Sequence, residues 1–341
     1  MQQAAEAVIE FNHTGLSLLE ISHRSAAFEA VIEEARALVK ELWQLGSDYE
    51  VLFLGGGASL QFCMAPYNLL PVNGTAAYLK TGVWADKAQR EAQLFGNVHL
   101  VASSEDRNYA YIPRQWNLPD QAAYFHITSN NTIYGTQMHE LPTANSVPYP
   151  IIADMSSDIF SRSIDATQFG LIYAGAQKNI GAAGATLVVL KRDLLGKTGR
   201  KIPSMLDYEV HIRNQSMFNT PPVFSVYVCY LTLKWVKERG IKRIEADNRA
   251  KAAALYQEID RNALFEGTVS IADRSMMNVC FVSKQSKHEA LFYDFAQKAD
   301  CAGLKGHRSV GGFRASLYNA MDMHGVETLV SIMREFERKF G

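Results

Sequence analysis

The chain has 341 residues, of which 34 are basic and 35 are acidic, so its formal net charge is −1. This near-neutral balance, without a long basic run, gives no electrostatic footprint for nucleic acid or for an anionic membrane surface. Hydrophobic residues make up 48% and charged residues 20% of the chain, which is ordinary for a globular protein with a large core and favours one large domain with a smaller one.

The first half of the chain alternates helices with short apolar strands. Residues 25–43 predict an amphipathic helix, because apolar side chains such as Phe28, Val31 and Ile32 fall on one stripe. A strand over 49–54 then leads through the glycine-rich turn 55–59 into a helix that ends at Leu70. The further predicted elements, in chain order, are a strand at 76–79, a helix at 84–94, and strands at 98–102, 122–128, 149–154, 171–176 and 186–190.

This alternation indicates an α/β fold with a mostly parallel central sheet and helices on both faces. From about residue 240 the pattern changes, with a helix at 244–259, strands around 269–273 and 277–282, and helices at 287–300 and 324–338. We therefore predict a large domain over residues 1–243 and a small C-terminal α+β domain over residues 244–341. Ligands of parallel sheets gather beyond the carboxyl ends of the strands, so functional residues are expected there.

The four cysteines, Cys63, Cys229, Cys280 and Cys301, are scattered and form no C-x-x-C pair. We expect reduced thiols in a cytoplasmic protein and no metal site. The longest uncharged apolar segment, residues 223–233, is shorter than the roughly 20 residues that span a bilayer.

Three features near the predicted strand ends have groups suited to catalysis or to ligand binding. The turn G-G-G-A-S (55–59) lies between a strand and a helix, where backbone N–H groups and the helix N-terminus favour an anion. It lacks the Walker, G-x-G-x-x-G and G-x-S-x-G patterns, and alone it fits a tight structural turn as well as a phosphate site.

The other two features are Asp154, at the end of the strand 149–154, and Lys178, at the end of the next strand. Taken singly, Asp154 fits a strand-end cap, whereas a lysine at a core edge is costly unless it is paired or chemically altered. Together, an amine that can form an imine, a carboxylate that can keep a ring nitrogen protonated and an anion-binding helix end are what pyridoxal phosphate requires.

Seven stretches, spread in order over the whole chain, resemble the phosphoserine aminotransferases, which are fold-type I pyridoxal-phosphate enzymes of the class V aminotransferase group. The stretches are L-E-I-S-H-R-S (19–25), F-L-G-G-G-A-S (53–59), T-S-N-N-T-I-Y-G-T (128–136), A-D-M-S-S-D-I-F-S-R (153–162), Y-A-G-A-Q-K-N-I-G (173–181), N-T-P-P (219–222) and G-H-R-S-V-G-G-F-R-A-S-L-Y-N-A-M (306–321). The resemblance implies a fold-type I transferase fold, with residues 1–243 as the cofactor-binding domain.

The implied reaction transfers the amino group of L-glutamate to 3-phosphohydroxypyruvate, which gives O-phospho-L-serine and 2-oxoglutarate in serine biosynthesis. Many bacterial members of the family are also expected to act on the related substrate of vitamin B6 biosynthesis, 4-phosphohydroxy-L-threonine.

The resemblance also implies roles for the residues that bind the cofactor. Lys178 would form the internal aldimine and, once released, would move the proton of the substrate's α-carbon, while Asp154 would keep the pyridine nitrogen protonated. The remaining contacts are implied at Ala58, Ser59 and Gln177 for the phosphate, Trp84 for the ring face, Thr132 for the phenolic oxygen, and Asn219 and Thr220 for the phosphate of the neighbouring subunit's cofactor. Because Asn219 and Thr220 would contact the cofactor of the neighbouring subunit, the expected active unit is a homodimer with active sites at the interface. By themselves, Trp84 would fit a core aromatic and Thr220 a helix N-cap.

Both substrates carry at least two negative charges, so their recognition needs cationic side chains. The resemblance implies Arg314 for the α-carboxylate. It implies a second group for the distal phosphate or for the γ-carboxylate of glutamate, namely His23, Arg24, His307 and Arg308. An isolated His-Arg pair would more often be a surface salt-bridge site.

Two departures from the family pattern qualify these expectations. The family usually opens with a short Asn-x-Gly-Pro segment over the substrate side of the site, whereas this sequence begins at Met1 with a stretch similar to the helix that follows, and full activity is expected to need that segment. Some relatives carry an arginine where this chain has Ser59, so one phosphate contact is expected to be missing or supplied elsewhere.

Two alternative functions stay open at this point. One is another class V reaction, such as transamination of serine or alanine without a phosphorylated substrate. The other is a cofactor-binding dimer without catalytic activity.

Overall fold

The computed structural model describes all residues from 1 to 341. Its helices are α1 (Gln2–Ile9), α2 (Ala26–Trp43), α3 (Gly57–Leu69), α4 (Val83–Ala92), α5 (Tyr208–Arg213), α6 (Val223–Arg239), α7 (Ile241–Arg261), α8 (Lys287–Lys298) and α9 (Met323–Phe340). Its strands are β1 (Tyr49–Leu54), β2 (Thr75–Lys80), β3 (Asn97–Ser103), β4 (Phe125–Thr128), β5 (Asn130–Asn131), β6 (Thr136–Gln137), β7 (Ile151–Asp154), β8 (Leu171–Gly175), β9 (Thr186–Lys191), β10 (Phe265–Gly267), β11 (Asn278–Ser283) and β12 (Phe313–Ser316). None of these helices has both the length and the apolar composition that crossing a membrane requires.

Seven strands form the central sheet in the order β1-β9-β8-β7-β4-β2-β3. Only β9 runs antiparallel to its neighbours, β1 and β8, while the pairs from β8 to β3 are parallel. The prediction of a mostly parallel sheet is therefore confirmed.

Helices cover both faces of this sheet, because its strands are apolar on both sides. Along β1, Val51 and Phe53 face one core, which they share with α2 and α6, whereas Leu52 and Leu54 face a second core with α3 and α4. A strand that is buried on both faces has no exposed position along its length at which a side chain could contact a ligand. Residues that contact a ligand are therefore expected at the strand ends.

The C-terminal part contains a separate antiparallel sheet with the order β10-β11-β12 and its own core of 22 buried residues. The predicted boundary between residues 243 and 244 falls inside α7, whose Ile244 packs in the large core while Ala252 and Leu255 pack in the small one. The division into two domains stays a prediction, with α7 crossing it.

The strand predicted around residues 269–273 is wrong. The strand β10 lies earlier, and Ile271–Asp273 forms a short 3₁₀ turn. The turn bonds to a distant loop instead of a sheet, because Ser270 N–H donates to the carbonyl of Ala110 and Ile112 N–H donates to Asp273 Oδ2. Its apolar Ile271 is 78% exposed, so this apolar side chain does not belong to a buried strand.

The large sheet also determines where functional residues meet. β7 lies between β4 and β8, with Thr128 aligned to Asp154 and Asp154 aligned to Tyr173. These three strands are parallel, so their carboxyl ends lie at one edge, and the turn that carries Lys178 starts directly after β8.

We expect Phe265→Ala to reduce the free energy of unfolding by about 3–5 kcal/mol, because the side chain is fully buried among aromatic rings and its removal leaves a cavity. Denaturant unfolding measures the loss. The matched control is Phe340→Ala, at a ring that is 40% exposed, which should cost less than about 1 kcal/mol. Equal losses for the two variants would contradict the burial of Phe265.

Candidate active site

A cavity lies beyond the carboxyl ends of β4, β7 and β8. Its lining includes every predicted cofactor residue except Asn219 and Thr220, and it comprises Gly57, Ala58, Ser59, Phe62, Trp84, Thr128, Asn130, Thr132, Asp154, Ser156, Ser157, Gln177 and Lys178. Residues from distant parts of the chain thus converge on one site at the sheet edge.

The N-terminus of α3 forms one wall of this cavity. The chain turns sharply into the helix through Gly56, with φ of 86°, and Gly57, with φ of 67°. A Cβ on Gly56 would lie 2.4 Å from Leu60 Cδ2, so the close turn requires glycine there. No side chain caps the helix and no acidic residue lies in its first turn. Its first N–H groups are therefore available to an anion such as a phosphate.

Asp154 lies at the end of β7 with only one of its carboxylate oxygens engaged. Its Oδ1 accepts hydrogen bonds from Ser156 N–H at 2.9 Å and from Ser156 Oγ at 2.6 Å, while its Oδ2 accepts none from the protein. Burial raises the pKa of Asp154, against the opposing effects of the Ser156 hydrogen bonds and the Lys178 charge. A cation at Oδ2 would favour the ionised form, and a protonated pyridine nitrogen has that charge and a donor N–H.

Lys178 lies in the turn after β8, with Nζ donating a hydrogen bond to Thr132 Oγ1 at 2.6 Å. Burial lowers the pKa of the amine, and the positive charge of Arg314 lowers it further, while Asp154 and Asp158 raise it. A lowered pKa brings a lysine closer to the neutral, nucleophilic form that attacks a carbonyl carbon.

Aromatic side chains complete the cavity on its apolar side. Phe62 and Trp84 both line it, and Lys87 Nζ lies 4.6 Å from the centre of the Trp84 ring. A flat aromatic ligand fits this combination, because the Trp84 ring offers stacking area at the rim of a polar site. The helix terminus, the free carboxylate oxygen, the lysine and the aromatic wall together fit the cofactor predicted from the sequence.

Arg314 belongs to the small sheet, on β12 opposite Cys280. It forms no salt bridge with an acidic side chain, and its Nε is buried without a hydrogen-bond partner. The positive charge of Arg314 lowers the pKa of the Lys178 amine. A guanidinium without an acidic partner is suited to receive a carboxylate.

The other predicted residues do not join the cavity. Asn219 and Thr220 are exposed, His23 is half-buried and Arg24 is exposed. A separate cavity in the C-terminal part is lined by residues that include Lys305, His307 and Arg308. The assigned roles of these residues stay predictions.

Several residues of the site received no role from the sequence. Ser156 holds Asp154, while Asn130 donates from Nδ2 to Ser157 Oγ at 2.8 Å, and Thr128 lines the cavity with an unpartnered hydroxyl. All four lie in stretches that carry the family resemblance, so their presence in those motifs was the available signal. No group of three or more His, Cys, Asp or Glu side chains in the structure could hold a metal ion.

The chain is similar over nearly its whole length to known proteins. Residues 1–329 match the family Aminotransferase class-V. The chain is 57% identical over 340 residues to the phosphoserine aminotransferase of Flavobacterium psychrophilum. This alignment covers 99% of this chain and 95% of that protein.

Solved structures agree with this similarity. A phosphoserine aminotransferase from Bacillus circulans subsp. alkalophilus has a TM-score of 0.96 and 44% identity, covering 100% of this chain and 95% of that one. A PLP-bound phosphoserine aminotransferase from Trichomonas vaginalis has a TM-score of 0.92 and 36% identity, covering 98% of this chain and 95% of that one. The predicted fold class, that of the fold-type I transferases, is confirmed.

The opposing charges around Lys178 generate a prediction for the cofactor-free protein. Arg314→Met should raise the pKa of the Lys178 amine, because it removes a neighbouring positive charge, and Asp154→Asn should lower it, because it removes a negative one. The pH dependence of labelling with an amine-specific reagent, followed at Lys178 by mass spectrometry, measures both shifts. Arg308→Met is the control, and it should leave the profile unchanged. A shift in the same direction for the Arg314 and Asp154 variants would contradict this electrostatic picture.

Proposed function

The chain belongs to the class-V aminotransferase family, and we infer that it acts as a phosphoserine aminotransferase with pyridoxal phosphate as its cofactor. It transfers the amino group of L-glutamate to 3-phosphohydroxypyruvate, which yields O-phospho-L-serine and 2-oxoglutarate. Relatives with this activity in their names are more than half identical to the chain over almost its full length.

The observation that carries this proposal is the combination of Lys178 and Asp154 in one buried cavity with the open N-terminus of α3. A phosphate is suited to the N–H groups around Ala58 and Ser59, with Gln177 beside them. A ring nitrogen that carries a proton is suited to the free Oδ2 of Asp154. Lys178 lines the same cavity and would supply the amine that reacts with the aldehyde of the cofactor.

Pyridoxal phosphate, when bound, supplies an electron-withdrawing ring that stabilises negative charge at the substrate's α-carbon. Asp154 would hold the proton on the ring nitrogen, and the Ser156 hydrogen bonds favour its ionised form against the opposing effect of burial. Lys178 would accept the proton from the α-carbon, and its lowered pKa favours the neutral amine that this step needs. Thr132 orients the amine through its hydroxyl, and Trp84 flanks the ring.

Substrate binding uses the cationic side chains. Arg314 receives the α-carboxylate, since its guanidinium has no acidic partner and its charge lowers the pKa of Lys178. His23, Arg24, His307 and Arg308 supply the positive charge for the distal phosphate of one substrate and the γ-carboxylate of the other. Charge at both ends of the substrate favours this reaction over transamination of alanine, which has no anionic distal group.

A homodimer is part of the same proposal. Asn219 and Thr220 are exposed on the surface of one chain and do not line its own cavity, so a role at a cofactor phosphate requires a second copy. We also propose the cytoplasm as the location, which the four free thiols support.

Lys178→Ala should abolish the visible absorption of the lysine-bound cofactor and lower turnover of glutamate with 3-phosphohydroxypyruvate by at least about 100- to 10,000-fold, because the proton-transferring amine is lost. Absorbance and a steady-state assay measure both effects, with the exposed Lys197→Ala as the control that retains them. Faster turnover of alanine with glyoxylate by the parent protein would favour the alternative class V reaction. Binding of the cofactor without any turnover would favour the non-catalytic dimer.

The shared site can be tested by mixing two inactive variants. Lys178→Ala and the double variant Asn219→Ala/Thr220→Ala should each be impaired. After unfolding and refolding together, random pairing should restore about a quarter of the parental sites, because each mixed dimer has one complete site. Turnover of the mixture measures the recovery, with each variant refolded alone as the control. Activity no higher than the mean of the separate variants would contradict a site shared between subunits.

A further inference from the structure

Lys178 and Arg314 act on the same substrate in the proposed reaction, yet they belong to different sheets. Lys178 follows β8 of the large sheet, and Arg314 lies on β12 of the small one. Three buried asparagines, Asn179, Asn319 and Asn248, connect these two parts of the molecule. We call them the asparagine bridge.

Asn179, the residue after Lys178, forms the first part of the bridge. Its side chain is buried, and its Nδ2 donates to the carbonyl of Ser157, which lines the cavity, at 3.3 Å. Its Oδ1 accepts a hydrogen bond from Asn319 N–H at 3.0 Å. One amide therefore connects the lysine turn both to the cavity wall and to the chain that leaves β12.

Asn319 continues the bridge on the side of the small sheet. Its Nδ2 donates to the carbonyl of Phe160 at 3.1 Å, and its Oδ1 accepts a hydrogen bond from Asn248 Nδ2 at 2.9 Å. Asn248, on α7, also donates to the carbonyl of Ser161 at 3.0 Å. The loop after β7, which follows Asp154, is thereby attached to the same bridge.

A buried lysine fixes the segment after β12 from its other side. Lys251, one turn along α7 from Asn248, donates from Nζ to the carbonyls of Leu317, Tyr318 and Met321 at 3.2, 3.0 and 2.8 Å. Burial lowers the pKa of this amine to about 8. Because Lys251 restrains the chain on both sides of Asn319, displacement of the β12 end is opposed by bonds to α7 as well as by the asparagine bridge.

We propose that Asn179 is a positioning residue that, through Asn319, holds the Lys178 amine at its working distance from the Arg314 guanidinium. This inference rests on the proposed function, in which one substrate contacts both cations. Hydrogen bonds are directional and fix relative positions in a way that apolar packing does not. Misplacement of reacting groups by about 1 Å can cost about 100-fold in rate.

Loss of the Asn179 amide should slow the reaction but leave carboxylate binding unchanged. Loss of the Asn179 amide would leave Arg314 on β12 and Lys178 on its turn, so each keeps its own local environment. Binding of a carboxylate to Arg314 should then persist, while proton transfer by a displaced amine slows. A role confined to stability would lower the melting temperature without this difference between rate and binding.

We expect Asn179→Ala, in the cofactor-loaded dimer, to lower kcat for glutamate and 3-phosphohydroxypyruvate by about 10- to 100-fold. The Kd for glutarate, a dicarboxylate without an amino group, should stay within about twofold of the parental value by calorimetry, because the cationic groups are retained. The melting temperature of each variant is recorded alongside.

The matched control is Asn262→Ala. Asn262 is also buried and makes three hydrogen bonds, to Glu258, to the Met333 carbonyl and from Leu264 N–H, all away from the cavity. Its loss should lower the melting temperature and leave both kcat and the glutarate Kd unchanged.

Asn319→Ala provides a second variant should Asn179→Ala not fold. It removes the bonds to Phe160 and Asn248 but keeps the main-chain N–H that bonds to Asn179. The kcat should therefore fall by a smaller factor than in Asn179→Ala, while the Kd for glutarate again stays near the parental value. Unchanged kcat in both variants, or a glutarate affinity that falls as much as kcat, would overturn the positioning role. An inactive parent protein would instead overturn the proposed function.

Discussion

The combination of the buried Asp154 carboxylate and the half-buried Lys178 amine in one cavity is the constraint on which the site depends. Burial raises the pKa of the carboxyl group and lowers that of the amine, so the protein environment opposes the charge of each. Their mutual attraction and the hydrogen bonds from Ser156 and to Thr132 offset part of this cost. Oδ2 of Asp154 still has no partner. The cavity is therefore matched to a ligand that brings a protonated nitrogen to one end and a group that reacts with an amine to the other.

The fold determines where such a pair can exist. Strands covered on both faces bury the side chains along their length, as Ile152 and Ile172 illustrate, so these side chains do not reach a ligand. Polar groups are tolerated where the strands end, and β7 and β8 are parallel neighbours, so their ends coincide. The helix α3 begins at the same edge and presents its N-terminus there. Anion binding, proton holding and amine chemistry thus meet at one place because of sheet topology.

The sequence predicted those parts of the site that depend on local signals. Lys178 and Asp154 could be found because each ends an apolar run, and α3 because glycines precede it. Ser156, two residues after Asp154, and Asn179 lay in motifs that the sequence singled out, but the Asn179 partners Ser157 and Asn319 depend on long-range packing. The segment 269–273 was mistaken for a strand, because nothing in its local sequence reveals that it bonds to residues 110–112. The roles of Asn219 and Thr220 require a second copy of the chain and stay predictions.

Apolar contacts stabilise each of the two sheets, and polar contacts connect the sheets that carry Lys178 and Arg314. Each sheet has its own hydrophobic core, and α7 contributes side chains to both. Across the junction the contacts near the site are largely amide and carbonyl hydrogen bonds, including Asn130 to Asn278 at 2.9 Å. Such bonds are worth little net stability each but are costly to leave unmade when buried. Buried amides therefore favour one relative position of the Lys178 turn and of β12, which is what proton transfer to Lys178 from a substrate held by its carboxylate at Arg314 requires.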